Sequence, residues 1–408
     1  MKIAILTERS DVFLGGAERS IFELSAQLSS MGHEVTLLAA KGTSAAKHVK
    51  ILCGDIAGKR TSIGEFEAAA RTYLAQEQFD IVHTVVPMAI ADVYQPRGGT
   101  YPETIRQNAA SYDNGFVEVI KKATSFLNFR RGQLCGAEKK IAKAKNGPVI
   151  ACLSAYVASQ FKEHYGCPDE RLRVIANGVK TDRAADAAEF AEIKGNILGN
   201  YSLEEDNPVF FLFAANNFRL KGLCQLIKAA AICQAKEPGA KFQIMIAGND
   251  HSMHAQNLAR RLDVDGRITF LGPVAHIQNA LVHADVAVLP TFYDPASRFV
   301  LEGLAMGLPV ITTAFNGAAD LFENGRHGIV IDDARNTEAL ADALLYYSKR
   351  SNLEAAKQAI VEDEIKDRVS IHAHAHRLIE LYEEILKKKS GDTIQNTGER
   401  SSKFKIVQ

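Results

Sequence analysis

The chain has no excess of charge of either sign, no cysteine pair at metal-binding spacing and no long apolar run, and each absence removes a class of function. Its 48 basic side chains balance 48 acidic ones over 408 residues, which excludes a globally basic nucleic-acid binder and an acidic disordered chain. Cys53, Cys135, Cys152, Cys167, Cys224 and Cys233 form no CxxC pair and keep no regular spacing to histidine, so zinc-ribbon, zinc-finger and thioredoxin-like readings drop out. Scattered single cysteines suit a reducing cytoplasm. No apolar run of about 18 residues occurs, so no membrane span is expected. The run Ile3 to Leu6 is too short for a signal-peptide core. At roughly 150 residues per domain, the length predicts two or three domains.

What is present is an alternating rhythm. Residues 2–6 read as a buried strand, Gly15-Gly16 as a loop, Ala17 to Met31 as an amphipathic helix carrying Ile21, Phe22, Leu24 and Leu28, and Val35 to Leu38 as a second, parallel strand. Ile81-Val82 and Val149 to Leu153 look like later strands of the same sheet, whereas Tyr94 to Lys145 lacks a comparable rhythm. A second series begins at Pro208, with strands expected at Val209–Phe213, Phe242–Ala247, Ile268–Leu271, Val286–Leu289 and Val310–Thr312. The expected fold is therefore α/β, two Rossmann-like, doubly wound parallel-sheet domains facing across a cleft. The expected boundaries are residues 1–180 and 181–368, followed by a C-terminal helix over 369–388 returning to the first domain and a flexible tail over 389–408.

Ligands of such folds bind outside the carboxyl ends of the strands, so the useful residues should lie in post-strand loops. Gly15-Gly16 follows the first strand and lets backbone amides approach a ligand, although no GxGxxG dinucleotide fingerprint is present. Arg219 and Lys221, in the loop after the first strand of the second series, place two cations where a diphosphate needs them. Asp294 and Glu302 are separated by seven residues, with small Ala296 and Ser297 at the helix start between them. Amides there bind phosphate, and a carboxylate further along the helix accepts from ribose hydroxyls. An ordinary helix with Asp294 as its capping acid is the alternative.

These residues resemble a known family. Gly15-Gly16-Ala17-Glu18-Arg19, Val174 to Val179, Arg219 with Lys221-Gly222, and Asp294 to Glu302 followed by Leu-Ala-Met-Gly-Leu-Pro-Val are similar to the motifs of retaining GT-B glycosyltransferases of family 4 (glycosyltransferase group 1). Within it, the lipopolysaccharide-core glucosyltransferase group is the nearest likeness. The resemblance implies that Glu302 holds the ribose of a nucleotide sugar and that Asp294 contacts the transferred sugar. It implies too that amides near Ser297, Arg298 and Phe299 hold the diphosphate, with Arg219 and Lys221 charging its far side. Gly15 and Gly16 would belong to the donor-binding set, and the Gly272-Pro273-Val274 loop would read the base. Arg219 and Lys221 would be the cations of the catalytic set.

Retention by front-face attack needs no protein nucleophile and, in this family, no metal or other cofactor. The implied reaction moves a hexose, glucose from UDP-glucose first, to a lipopolysaccharide-core or other cell-surface glycan, lipid-linked or free. A non-hydrolysing sugar-nucleotide 2-epimerase and a catalytically silent nucleotide-sugar-binding protein are the alternatives. Asp294 stands where the family usually has glutamate, and Arg219 lies closer to Lys221 than is common. Where the family often has His-Asp, this chain has Gln95-Pro96-Arg97-Gly98-Gly99-Thr100. His83 reads as structural, and His372, His374 and His376 read as part of a surface helix.

Neutrality overall hides one segregated stretch. Residues 121–145 carry Lys121, Lys122, Arg130, Arg131, Lys139, Lys140, Lys143 and Lys145 against Glu138, a net of +7 balanced by −7 in the remainder. Phe116, Ile120 and Leu127, with Phe126 and Phe129 beside them, give it an apolar side. A basic, aromatic-bearing helix fits an anionic membrane surface, so a cytoplasmic enzyme peripheral to the cytoplasmic face of the inner membrane is expected, with no nucleic-acid partner. A solvated helix covering the sheet is the other reading.

Overall fold

The computed structural model describes residues 1–10, 16–43, 46–54, 61–124, 128–182, 186–198 and 208–402. The first sheet holds β1 (Lys2–Arg9), β2 (Glu34–Lys41), β3 (Val49–Ile51), β4 (Ile81–Thr84), β5 (Val93–Tyr94), β6 (Val149–Cys152) and β7 (Leu172–Val174). Their order is β3-β2-β1-β4-β5-β6-β7 and every pairing is parallel. The second sheet holds β8 (Val209–Ala214), β9 (Phe242–Ala247), β10 (Ile268–Gly272), β11 (Val286–Leu289), β12 (Val310–Thr313) and β13 (Gly328–Ile331). It runs β10-β9-β8-β11-β12-β13, again all parallel. The chain thus folds as two doubly wound α/β domains, with helices on both faces of each sheet as parallel strands require.

The strands are nearly continuous apolar runs because both faces are covered. On one face of the first sheet, Ile3, Ile5 and Ile81 pack against Ile21, Leu24 and Leu28 of the Gly16–Ser30 helix. Ala4 and Leu6 point the other way, to Phe66 and Ala70. The same face that receives the Gly16–Ser30 helix also receives Ile371, Ala375, Leu378, Leu381, Tyr382 and Ile385 of the long Ile371–Ser402 helix, whose spacing makes one apolar stripe. Val179 anchors the return: its amide donates to the Val369 carbonyl at 3.0 Å and its carbonyl accepts from Ile371 at 2.8 Å. Residues 389–402, read from composition as a tail, continue this helix, since no proline interrupts it. Residues 403–408 lie outside the described residues, as do Gly15, Phe126 and Leu127.

The two domains meet along the carboxyl ends of their sheets. Ser154 donates to the Pro295 carbonyl at 2.8 Å, and the Tyr293 hydroxyl to the Gly98 carbonyl at 3.0 Å. Gly99 makes that closeness feasible, because it sits at φ +68° and a Cβ there would lie 1.8 Å from the Tyr293 hydroxyl.

Candidate active site

Three loops of the second domain converge at the cleft. Gly222, at φ +81°, turns the chain after β8 into the Leu223–Lys236 helix, and a Cβ there would lie 2.0 Å from the Pro290 carbonyl. The loops after β8 and β11 therefore run against each other, with the Phe292 amide donating to the Leu220 carbonyl at 2.9 Å. Lys221 is carried directly onto Asp294: its ammonium donates to Asp294 Oδ2 at 2.7 Å and to the Tyr293 carbonyl at 2.8 Å. Asp294 is fixed further by its own backbone, its amide donating to Phe315 and its carbonyl accepting from Gly317, both at 2.9 Å.

Arg219 goes elsewhere. Its guanidinium donates to the Asn108 carbonyl at 3.0 Å and to the Ser111 hydroxyl of the first domain, and lies 3.9 Å from the centre of the Tyr112 ring. The two cations that the sequence places side by side thus diverge, Lys221 toward the acid and Arg219 across the cleft.

The Arg298–Ala305 helix is capped by Ser297, whose hydroxyl accepts from the Val300 amide at 3.4 Å. That corrects the alternative of Asp294 as the cap: Asp294 Oδ1 instead accepts from Ala296 at 3.2 Å, before the helix begins. The Ser297 amide is already committed to Asn316 Oδ1 at 3.2 Å, so Arg298 and Phe299 present the amides for which no described residue supplies an acceptor. The Phe299 ring is buried in the second core.

Glu302, one turn into that helix, is 6% exposed. Arg298 donates to it at 3.2 Å and meets Glu23 of the first domain at 2.9 Å, and Glu23 in turn meets Arg19 at 3.3 Å. Burial pushes the Glu302 carboxyl up from its ordinary value, while Arg298 and Arg19 pull it back. The Arg298 chain also passes Gly16, where a Cβ would lie 3.4 Å from its Cδ. Gly272 closes β10 at φ +74°, its carbonyl accepting from Gly248 at 2.8 Å, and half-buried Val274 packs on the second core beyond it.

Sequence reasoning missed Glu23 and the bridging role of Arg298, because the residues joined are some 275 positions apart and only the closed pair of domains unites them. His374 is a correction. It is fully buried against the Ala176 carbonyl at 2.6 Å, while His376 is exposed beside Glu380 at 3.2 Å, so the helix has one buried face and is not a surface helix. His83 is fully buried too, sharing a 2.6 Å hydrogen bond with the Tyr382 hydroxyl.

The basic stretch forms two helices, Gly115–Thr124 and Phe129–Lys143. The first buries none of its residues and exposes Phe116 (74%), Val119 and Ile120 beside Lys121 and Lys122. In the second, Arg130 pairs with Glu8, Arg131 is half-buried, Lys139 and Lys140 are exposed, and Phe129 is 80% exposed. Glu138 is not a surface acid: it is buried and accepts from Tyr94 at 2.8 Å, Tyr165 at 2.7 Å and the Tyr101 amide at 3.0 Å.

Residues 14–183 match the family described as Glycosyltransferase Family 4, and residues 208–350 match Glycosyl transferases group 1. Lipopolysaccharide glucosyltransferase WaaG of Escherichia coli is 22% identical over 337 residues, 81% of this chain and 85% of that protein. A D-inositol 3-phosphate glycosyltransferase of Geodermatophilus obscurus is 26% identical over 236 residues, 55% of this chain and 50% of its own. The crystal structure of WaaG superposes with a TM-score of 0.70 at 19% identity, covering 93% of this chain and 99% of WaaG. That of Anabaena HepE in complex with UDP-glucose gives 0.68 at 18% identity, covering 94% and 100%. With both halves matched and the two-sheet architecture shared, the chain belongs to the GT-B glycosyltransferases of family 4 and group 1, and is a hexosyltransferase of that type.

Proposed function

We propose that the protein transfers glucose from UDP-glucose, with retention of anomeric configuration, to a glycan of the lipopolysaccharide core or another cell-surface acceptor. The observation that carries this reading is the Lys221–Asp294 pair at 2.7 Å in two post-strand loops, with buried Glu302 one turn into the Arg298–Ala305 helix that follows the second. An ammonium held by a carboxylate is charged and immobile, ready to meet the leaving diphosphate. Glu302 keeps one oxygen on Arg298 and offers the other to ribose hydroxyls, and the free amides of Arg298 and Phe299 face the diphosphate with Gly16. Asp294, already turned toward Lys221, lies where the hydroxyls of the transferred sugar would sit. The loop from Gly272 to Val274 accommodates the base, and Arg219 lends charge from the domain seam.

In this reaction the bond from the anomeric carbon to the diphosphate oxygen breaks, and one to the acceptor oxygen forms on the same face. The acceptor proton passes to the departing phosphate oxygen. No protein nucleophile and no metal are required, because Lys221 and the helix amides supply the positive charge. The likeness to HepE, captured with UDP-glucose, and to WaaG supports this donor and acceptor class. The Gly115–Thr124 helix, apolar at Phe116, Val119 and Ile120 and basic at Lys121 and Lys122, followed by the Phe129–Lys143 helix with Arg130, Arg131, Lys139 and Lys140, supports a peripheral position on an anionic membrane. A thermal-shift panel of UDP, ADP and GDP sugars tests the donor half: stabilisation by UDP-glucose alone is expected, and stabilisation by another nucleotide class alone would overturn it.

A further inference from the structure

We propose that Glu23, on the first domain, is a positioning residue for the donor: by holding Arg298 from across the cleft, it keeps that guanidinium from taking both oxygens of Glu302 and leaves one for the ribose. Glu23 itself touches no donor atom. The inference rests on the reading of Glu302 as the ribose carboxylate, and adds to that reading a residue of the other domain.

Local physics gives no reason for an arginine at position 298. It is the first residue of the Arg298–Ala305 helix, where the positive end of the helix dipole disfavours a cation. It also precedes Glu302 by four residues, the weaker order for a helical ion pair, since the acid is better placed N-terminal to the base. Its stem passes Gly16 at the start of the Gly16–Ser30 helix, so the positive end of a second helix lies nearby. Arg97, close to His374, is a further cation: burial first, and then the charge of Arg298, hold it down at about 9. What retains Arg298 among these groups is the pair of carboxylates that meet it, Glu302 and Glu23.

Arg19, Glu23, Arg298 and Glu302 form a chain of alternating charge, with contacts of 3.3, 2.9 and 3.2 Å. Arg19 and Glu23 lie one turn apart on the Gly16–Ser30 helix, and Arg298 and Glu302 one turn apart on the helix of the second domain. The central contact is therefore the one that crosses the cleft. Arg298 is not forked onto either acid. Its Nη2 serves both, Glu23 Oε2 at 2.9 Å and Glu302 Oε1 at 3.2 Å, while Nη1 is buried and no described residue pairs with it.

A guanidinium with a single carboxylate favours the fork, two parallel N–H···O bonds that occupy both oxygens. With Glu23 in place the nearer contact lies across the cleft, and Glu302 commits one oxygen only. With Glu23 gone, Arg298 has one acid left, an idle Nη1 to offer it, and a buried charge that needs full pairing. The fork then closes on Glu302 and the ribose loses its acceptor. Because the holding contact joins the two domains, the ribose oxygen is kept open only while they meet.

Isothermal titration of the full chain with UDP and 2′-deoxy-UDP tests this in wild type, Glu23→Gln, Arg298→Met, Arg298→Lys and the double variant of Glu23→Gln with Arg298→Met. Glu23→Gln should weaken UDP about tenfold and leave 2′-deoxy-UDP within about threefold, so that the preference for the ribose hydroxyl disappears. In the Arg298→Met background no fork can form, so the preference should persist and adding Glu23→Gln should not change it. A preference retained in Glu23→Gln overturns the proposal. So does an equal loss for both nucleotides, which would make Glu23 merely structural, and so does a preference that Glu23→Gln still erases without Arg298, which would put Glu23 on the donor itself. Should Glu23→Gln not fold, Arg298→Lys carries the test: an ammonium lacks the planar fork, so the preference should match or exceed that of wild type, and its loss overturns the proposal. Glu302→Ala separates this role from the reading beneath it. If that variant still prefers UDP, the ribose reading falls and the role of Glu23 with it; if it loses the preference while Glu23→Gln keeps it, only the role of Glu23 falls.

Discussion

Glu302→Ala is the substitution whose effect the geometry sizes most closely. The carboxylate is buried, holds Arg298 at 3.2 Å and has its second oxygen available for ribose. Hydrogen bonds from a ligand to a charged group contribute about 1.5–3 kcal/mol. Losing a pair of them, offset by water entering the space, gives about 3 kcal/mol, or roughly 150-fold in the Kd for UDP. Folding should suffer less, because Arg298 keeps Glu23 at 2.9 Å and is not left as an unpaired buried cation. Isothermal titration with UDP and 2′-deoxy-UDP separates the contributions. Wild type should prefer UDP by about tenfold, the alanine variant should bind both weakly and alike, and Glu302→Gln should fall between. A Kd for UDP within threefold of wild type, or retained discrimination against the deoxy nucleotide, would refute the placement of the ribose at Glu302.

Other consequences follow from the same contacts. Burial raises the Glu138 carboxyl from about 4.5 to about 7, so the folded protein holds that proton where the unfolded chain has released it. Stability should therefore fall as pH rises from about 4.5 to 7, by about 3 kcal/mol in all. Urea midpoints should show this slope in wild type and lose it in Glu138→Gln, and parallel profiles would contradict it. Gly99→Ala forces a left-handed backbone onto a side chain, costing about 1–2 kcal/mol, and drives its Cβ into the Tyr293 hydroxyl at the domain seam; faster proteolysis between the domains is the expected readout. Pelleting with phosphatidylglycerol vesicles should weaken with salt, and Phe116→Ser with Lys121→Gln and Lys122→Gln should lower it more than tenfold, since each cation contributes on the order of 1 kcal/mol. Binding indifferent to salt would sink the electrostatic account.

The second domain was more legible in the sequence than the first, for physical reasons. Its inner strands, such as Phe242–Ala247 and Val286–Leu289, are apolar runs bounded by glycine and proline loops, and the structure places them at the expected residues. In the first domain, β5 is two residues long and β3 and β7 are three, too short for any periodicity to register. The motif residues Lys221 and Asp294 lie in post-strand loops and Glu302 on the helix that follows, all in one domain, so spacing alone could propose them. Arg298 bridging to Glu23, and Arg97 beside His374, depend on a long chain return and on contact between domains. His374 shows the difficulty well: alternating histidines look solvated in sequence, yet the helix turns that one onto the Ala176 carbonyl.

The central claim, that the Lys221, Asp294 and Glu302 site breaks the donor bond with retention and without metal, is tested most directly by following UDP-glucose turnover by proton NMR in the presence of EDTA. The α anomer of glucose should appear first, and Lys221→Met should slow its release about a hundredfold, a loss near 3 kcal/mol of transition-state stabilisation. First release of the β anomer, or an epimerised nucleotide sugar, would contradict the account. So would a donor that binds and is returned intact even when glycan acceptors are supplied.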